Sequence, residues 1–214
     1  MTPAFPPPHV SRTLRPHDPG VAQRLERELA VPAALARVLA ARGVASAAEA
    51  RAWLEPGPDA LHDPFGMGGM PEAVELLAGT ARRGGRVVVF GDYDCDGIGA
   101  LAILTTTLKK LGADAIPFVP HRLRDGYGLR PGTLQRVLDE HSPEGVVTVD
   151  CGITAVDPVR SAVARGVYVV VTDHHIPPEE LPTGAVLLNP KIPGCPYPFK
   201  ELAGAGIAWK LSEA

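Results

Sequence analysis

Short uninterrupted blocks of apolar residues alternate with helical patterns along the larger, later part of the chain. Such blocks are typical of strands that are buried on both faces. The predicted strands are residues 86–90, 115–119, 145–149, 167–172 and 185–188. The predicted helices are residues 72–83, 98–112, 131–141 and 157–166, with a last helix that begins near Ala205. This alternation predicts an α/β fold in which helices flank both faces of a mostly parallel sheet.

The earlier part of the chain has a different pattern and predicts a small helical module. Residues 1–20 are rich in proline, so we expect an extended or poorly ordered lead-in. Residues 21–55 are rich in alanine, leucine and arginine and predict two or three short helices, whereas residues 56–70 have the composition of a loop. The predicted organisation is a lead-in (1–20), a helical module with its loop (21–70) and an α/β domain (71–214).

Composition restricts the class of protein. Of the 214 residues, 45% are hydrophobic and 21% are charged, as in ordinary soluble globular proteins. The formal net charge of −3 argues against a strongly electropositive nucleic-acid coat but allows a local basic groove. The three cysteines have no CxxC spacing, which argues against a disulfide framework or a zinc site and fits a reducing compartment. With no leader and no apolar run near the roughly 18 residues of a membrane span, we expect a cytoplasmic protein without membrane contact.

Three aspartates at alternate positions, Asp92, Asp94 and Asp96, follow the first buried strand. Capping of the next helix explains one of them, but three carboxylates at this spacing repel one another unless a cation lies between them. The letters DYDCDG also fit the opening of an EF-hand calcium loop. An EF-hand needs a glutamate at position twelve and a preceding helix, whereas this chain has Ile103 and a strand there. The pattern therefore favours a site for a hard divalent cation.

Two further strands end in metal-ligating residues. Asp150 follows residues 145–149, and Asp173, His174 and His175 follow residues 167–172. The carboxyl ends of parallel strands meet at one edge of a sheet, where ligands bind. Carboxylate and imidazole ligands without thiolates favour Mn²⁺ or Mg²⁺, and so many acids suit two ions about 3.5–4 Å apart that share a carboxylate. Adjacent histidines point to opposite sides, so one can ligate metal while the other faces a substrate phosphate.

The loop 121–130, HRLRDGYGLR, is basic and glycine-containing. It is either a solvated charged loop or a phosphate-binding loop in which Tyr127 stacks on a base. Its candidate contact residues are His121, Arg122, Arg124, Tyr127 and Arg130. The cysteines beside the acids, Cys95 and Cys151, have no base placed next to them by the sequence, so we interpret them as small apolar fillers rather than nucleophiles.

The motifs GDYDCDG, VTVDCGIT, TDHHIP and NPK, in this order, resemble the four N-terminal motifs of the DHH phosphoesterase superfamily. The segments LHDPFGMGGM, HRLRDGYGL and CPYPFKELAGAGIAWKL are similar to the RecJ branch, the single-strand-specific 5′→3′ DNA exonucleases. The resemblance runs from about Trp53 to the last residue. It implies a hydrolase that uses two Mn²⁺ or Mg²⁺ ions and an activated water to release mononucleotides from single-stranded DNA in repair and recombination.

The resemblance also implies roles for individual residues. Asp94, Asp96, Asp150 and His174 would bind the metal ions, with Asp150 bridging them. Asp92 and His175 would complete the catalytic set and assist at the scissile phosphate. The implied substrate-binding residues are His121, Arg122, Arg124, Tyr127, Arg130, His175 and Asn189, the last from the NPK motif.

RecJ-like proteins continue with a further metal-binding aspartate, a second (DHHA1) domain and often an OB-fold. We therefore expect this chain to lack one ligand and part of the cleft. The implied partners are single-stranded DNA, a single-strand-binding protein and a helicase, with the protein itself a monomer. Two alternatives are another DHH phosphoesterase, acting on pyrophosphate, cyclic dinucleotides or short oligonucleotides, and a non-catalytic replication scaffold. The N-terminal module argues against the first, and the complete set of acids and histidines in this segment argues against the second.

Overall fold

A computed structural model describes residues 15–57 and 60–214. The chain divides into two compact units, Met1–Leu61 and His62–Ala214. This division differs from the predicted boundary at residue 70, because Met67 and Met70 belong to the apolar core of the second unit. Of the predicted lead-in, residues 1–14 lie outside the described residues, and the first helix already begins at Pro19.

The first unit contains three short helices in its described residues, which confirms the helical pattern of this segment. They are α1 (Pro19–Leu29), α2 (Ala33–Ala41) and α3 (Ala47–Leu54). Asp18 caps α1 by accepting hydrogen bonds from the N–H groups of Gly20 and Val21, and Ser46 caps α3. The buried core of this unit consists of Leu25, Ala36, Leu39, Val44 and Ala50.

The second unit is built on five parallel strands in the order β2-β1-β3-β4-β5. The strands are β1 (Arg86–Gly91), β2 (Asp114–Phe118), β3 (Gly145–Val149), β4 (Tyr168–Thr172) and β5 (Val186–Leu188). The helices are α4 (Met70–Arg82), α5 (Cys95–Lys110), α6 (Pro131–His141), α7 (Val156–Ala164) and α8 (Gly204–Glu213). The predicted α/β fold with a parallel sheet is confirmed.

Alternate residues of β1 point to opposite faces of the sheet, and each face has its own core. Val87 and Val89 pack with residues of α4, α5 and α8, whereas Val88 and Phe90 pack with residues of α6 and α7. Burial on both faces explains why the strand sequences are continuously apolar rather than alternating. None of the helices in the described residues is both long and apolar enough to cross a membrane.

The predicted boundary that differs most at the site is the start of α5. This helix begins at Cys95 rather than after Gly97, because the Asp94 carboxylate accepts a hydrogen bond from the Gly97 N–H and caps it. Asp96 therefore lies in the first helical turn, while Asp92 remains at the strand end.

Candidate metal centre

The acidic residues meet where the sheet changes winding direction. The chain runs from β1 outward to β2 and then returns to β3 on the other side, which opens a crevice between the carboxyl ends of β1 and β3. Asp92 follows β1, Asp150 follows β3 and Asp173 follows β4. The three residues are buried, with exposed fractions of 3%, 1% and 1%.

Two groups of side chains place their ligand atoms within 4.8 Å of one another. The first group is Asp92, Asp94 and Asp150, and the second is Asp150, His174 and His175. Asp150 belongs to both groups. The structure therefore brings the ends of three strands together, as expected from the sequence.

Asp150 combines backbone strain with an electrostatically unfavourable position. Its φ of 60° lies in the left-handed region, which is uncommon for a residue other than glycine. Its Oδ1 lies 3.0 Å from His174 Nε2, but the geometry makes no hydrogen bond, and no other described atom donates one to this buried oxygen. Burial, followed by the charges of Asp96 and Asp94, raises the pKa of Asp150 to about 7.

Asp96 is held by the N-terminus of α8. Its Oδ2 accepts a hydrogen bond from the Gly204 N–H at 2.8 Å, and its Oδ1 accepts one from the Ala205 N–H at 2.7 Å. The positive end of the helix favours the charged carboxylate. A Cβ atom at Gly204 would lie 2.7 Å from Asp150 Oδ1, so only glycine fits between α8 and Asp150. In the sequence pattern, the position of Gly204 directly before the last predicted helix was the only indication that it could take part in the site.

Asp173 orients His175. Asp173 Oδ1 lies 2.7 Å from His175 Nδ1, and its Oδ2 accepts a hydrogen bond from the Ile153 N–H at 2.9 Å. Burial lowers the pKa of His175, but the hydrogen bond and the charge of Asp173, together with the negative charges of Asp150 and Asp92, outweigh this effect and raise the pKa. The sequence grouped Asp173 with the two histidines as a candidate ligand at a strand end, but it did not predict that Asp173 orients His175. Its position directly before the two histidines was the available signal.

Tyr127 connects the basic loop to the metal-ligand cluster. Its hydroxyl lies 3.4 Å from His175 Nε2, and its ring makes an edge contact with Tyr93. Burial, then the charges of Asp92 and Asp173, raises the pKa of Tyr127 to about 12, so the hydroxyl stays protonated. The Arg122 guanidinium lies 5.3 Å from the centre of the Tyr93 ring. Tyr127 is thus the loop residue that lies next to the ligand cluster. Arg122 reaches the cluster indirectly, through its contact with the ring of Tyr93, which lies between Asp92 and Asp94 in the sequence.

The other loop candidates contact the loop itself. Asp125 accepts hydrogen bonds from the His121 N–H, from Arg124 Nε and from Arg136 Nη1. These contacts, first the one with Arg124 and then the one with Arg136, lower the pKa of Asp125. Arg130 Nε donates to the Tyr127 carbonyl oxygen at 3.2 Å. Asp125, which sequence reasoning missed, therefore organises this loop.

Comparison with known proteins agrees with this geometry. The DHH family, N-terminal domain, matches residues 86–214. The chain belongs to the DHH family. Among relatives of this DHH protein, the single-stranded-DNA-specific exonuclease RecJ of Bacillus subtilis (strain 168) is 38% identical over 190 residues, which are 89% of this chain and 24% of that protein. The chain therefore spans about a quarter of the length of that curated relative.

Solved structures of similar proteins hold manganese. The crystal structure of exonuclease RecJ bound to manganese matches this DHH chain with a TM-score of 0.63 and 40% identity, over 68% of this chain and 37% of that one. The crystal structure of RecJ in complex with Mn²⁺ from Thermus thermophilus matches with a TM-score of 0.73 and 31% identity, over 93% of this chain and 27% of that one.

The residues of the DHH site fit a divalent cation on their own chemistry. Two carboxylates, Asp92 and Asp94, and two imidazoles, His174 and His175, converge on Asp150, whose buried Oδ1 accepts no hydrogen bond from the described residues. Hard oxygen donors with imidazole are the ligands that Mn²⁺ takes in proteins, and Mg²⁺ prefers the oxygens. Asp96 belongs to the same site, since its Oδ2 lies 3.5 Å from His174 Nε2. Its two oxygens also accept hydrogen bonds from the two N–H groups at the start of α8.

Asn189 and Cys151 support the DHH site from within the fold. Asn189 is buried, its Nδ2 donates to the His175 carbonyl oxygen at 2.9 Å, and its Oδ1 accepts from the Lys191 N–H. These contacts fix the backbone that carries His175. Burial raises the pKa of the Cys151 thiol well above its usual range, which supports the interpretation of this residue as a filler.

Proposed function

We propose that this DHH protein is a metal-dependent phosphodiesterase that degrades single-stranded DNA in the 5′→3′ direction to mononucleotides, in DNA repair and recombination. The observation that carries the proposal is the position of Asp150, which is shared by two groups of potential ligands. The names of its relatives, single-stranded-DNA-specific exonucleases, support the choice of substrate.

Asp92, Asp94, Asp96, Asp150 and His174 would hold two Mn²⁺ or Mg²⁺ ions. When bound, such ions neutralise charge at a phosphate and supply a water of lowered pKa for in-line attack. The fold contributes preorganisation, since Asp94 is fixed as a helix cap and Asp96 by the N-terminus of α8. The carboxylates therefore need little rearrangement to act as ligands.

The Asp173–His175 pair would act on the substrate. Asp173 holds His175 by Nδ1, which leaves Nε2 on the side of Tyr127 and the ligand cluster. Because its pKa is raised, His175 is more often protonated near neutral pH than an ordinary histidine, and its Nε2–H can donate to a phosphate oxygen. A cleft of about 520 Å³ borders Tyr127, Asp173 and His175 and extends along residues 151–158.

Tyr127, Tyr93 and Arg122 would receive a single strand beside the metal site. Aromatic rings stack on unpaired bases and arginine binds phosphates, and both contacts tolerate any sequence. Bases in a duplex are paired and stacked, so this arrangement favours single strands. A single-strand-binding protein and a helicase as partners, a monomeric state and a cytoplasmic location belong to the same proposal.

The test is cleavage of a 5′-phosphorylated single-stranded oligonucleotide by this chain, with Mn²⁺ and with chelator. We expect mononucleotides released in order from the 5′ end, no cleavage of duplex and no hydrolysis of pyrophosphate. Asp94→Asn keeps an efficient helix cap but removes the charge, so we expect folded, inactive protein. Asp18→Asn makes the same change at the N-cap of α1, where the carboxylate accepts hydrogen bonds from the Gly20 and Val21 N–H groups, and serves as the matched control.

Two results would contradict the proposal. If the Asp94→Asn variant were as active as the unmodified chain, Asp94 would not be a metal ligand. Hydrolysis of pyrophosphate without cleavage of DNA would assign the site to another class of DHH substrate. Since the chain spans only part of its relatives, Mn²⁺ binding is measured alongside cleavage by calorimetry.

A further inference from the structure

A second basic surface lies in the helical unit, within Met1–Leu61. It is a groove of about 730 Å³ along α2 that ends at Trp53 of α3. Its positively charged or titratable lining residues are Arg15, His17, Arg37 and Arg42, and none of the described residues that line it is acidic. The described part of this unit carries arginines and acids in nearly equal number, so the groove concentrates one sign of charge.

The floor of the groove is an apolar helix face that the core of the unit does not use. Ala34, Val38 and Ala41 recur at helical spacing on one side of α2, while Ala36 and Leu39 on the other side are buried in the core. Val38 has an exposed fraction of 50%. The groove therefore combines an exposed apolar floor with arginines at its border.

Trp53 supplies an exposed aromatic ring at the end of this surface. Its exposed fraction is 59%, although tryptophan is usually largely buried. The Arg42 guanidinium lies 5.6 Å from the ring centre. A cation held against one side of an exposed indole ring provides a stacking surface and a phosphate ligand next to each other.

We propose that this groove, lined by Arg37, Arg42 and Trp53, is a second binding site for single-stranded nucleic acid. Charge complementarity requires an anionic ligand, and the exposed indole beside arginines matches the way in which single strands are bound without sequence preference. The inference rests on the proposed function, because it takes the same polymer as ligand. An acidic polypeptide is the competing occupant that the experiment has to separate.

The test measures binding of a fluorescein-labelled thymidine oligonucleotide to the 214-residue chain in chelator, by fluorescence anisotropy. We expect Arg37→Glu and Trp53→Ala each to weaken binding roughly tenfold or more and Arg37→Glu to reduce its salt dependence. Arg24→Glu makes the same charge change on an exposed position of α1 outside the groove and should bind like the unmodified chain. Circular dichroism and thermal unfolding establish that each variant is folded.

A second readout reports the ring itself. In a Trp209→Phe background Trp53 is the only tryptophan, and we expect the oligonucleotide to quench its emission. Oligonucleotide affinities of Arg37→Glu and Trp53→Ala equal to that of the unmodified chain would overturn the inference. Quenching by poly-glutamate but not by the oligonucleotide would also overturn it and assign the groove to an acidic polypeptide.

The outcomes also separate this inference from the proposed function. If the chain cleaves DNA and the groove variants bind the oligonucleotide as tightly as the unmodified chain, the proposed function is supported and the groove site is contradicted. Groove-dependent binding without cleavage of DNA, but with hydrolysis of pyrophosphate, would support the groove site and contradict the function.

Discussion

At the scale of single residues, Asp150 is the most constrained group in the site. Its backbone is left-handed, a conformation that costs about 1 kcal/mol or more for a residue with a side chain. The Thr172 carbonyl oxygen accepts a hydrogen bond from its N–H at 3.0 Å, which fixes this strained residue to the end of β4. The fold therefore holds a carboxylate in a buried place among other carboxylates, where it is stable only when protonated or beside a cation.

The first prediction concerns Asp150→Asn in the metal-free protein. The pKa of Asp150 in the folded chain is about 7, above the ordinary value of an unfolded aspartate. Between these two pH values the folded chain therefore binds a proton that the unfolded chain has released. The free energy of unfolding therefore falls as pH rises from about 4 to about 7. Asparagine tolerates the left-handed conformation and does not titrate. We expect the variant to be more stable than the unmodified chain at about pH 8, by at most about 4 kcal/mol, and nearly equal at about pH 4.

The measurement is urea unfolding in chelator at both pH values. Asp157→Asn, on the exposed start of α7, is the control and should show no such difference. His175 acts in the same direction, because its raised pKa gives stability at low pH that is lost as pH rises through that pKa. A variant less stable than the unmodified chain at both pH values would contradict the prediction.

The sequence predicted which potential ligands converge at the site, but it did not predict how Asp125 and Asn189 hold the segments around them. Asp92, Asp94, Asp150, His174 and His175 follow predicted strands, so the topology rule alone brought them together. Asp125 and Asn189 act through hydrogen bonds to backbone groups. Such bonds depend on loop conformation, which no periodicity encodes.

At the scale of secondary-structure elements, the N-terminus of α8 completes the site from a distant part of the chain. The Gly204 N–H and Asp96 are separated by 108 positions in sequence. The pattern predicted the helix but placed its start near Ala205, because one residue at a helix start changes little in the apolar spacing. The N–H of Gly204 donates to Asp96, and the absence of a Cβ on this residue leaves room for Asp150.

The second prediction is that Gly204→Ala weakens Mn²⁺ binding. A Cβ atom there would lie 2.7 Å from Asp150 Oδ1, so α8 or Asp150 must shift. We expect an affinity about 10- to 100-fold lower, the range found when groups that orient metal ligands are removed. Calorimetric titration with Mn²⁺ measures this change.

Gly99→Ala is the matched control for this helix glycine. A Cβ at Gly99 would meet Ala205 Cβ at 3.7 Å, an ordinary contact, and alanine favours a helix. We expect this variant to bind Mn²⁺ like the unmodified chain. Equal Mn²⁺ affinity in Gly204→Ala would show that α8 does not position the acids.

At the scale of the whole molecule, the sheet order explains why one crevice collects the chemistry. Among the described residues, the buried acids follow β1, β3 and β4, which are neighbours in the order β2-β1-β3-β4-β5. Continuous apolar blocks predicted the strands, and the alternation with helices predicted that they are parallel. The order of the strands could not be read from those patterns, since it is decided by long-range packing of the helices on the two faces.

The third prediction follows from this placement: Mn²⁺ should stabilise the unit His62–Ala214 in a pH-dependent way. An ion that binds only the folded state adds about 2.7 kcal/mol at 100 times its dissociation constant, or on the order of 5–10 °C in Tm for a unit of this size. Binding requires ionised Asp150, whose pKa is about 7. At a fixed Mn²⁺ concentration the increase in Tm should therefore be larger at about pH 8 than at about pH 6.

Thermal unfolding with Mn²⁺ and with chelator at the two pH values measures this difference. In Asp150→Asn the carboxylate shared by both ligand groups is gone, so the increase in Tm should nearly disappear at either pH. Adventitious binding to exposed acids would instead persist in that variant, because those acids are unchanged. A full Mn²⁺-dependent increase in Asp150→Asn would mean that the ions bind elsewhere and that the strained carboxylate between β3 and β4 serves the fold rather than the metal.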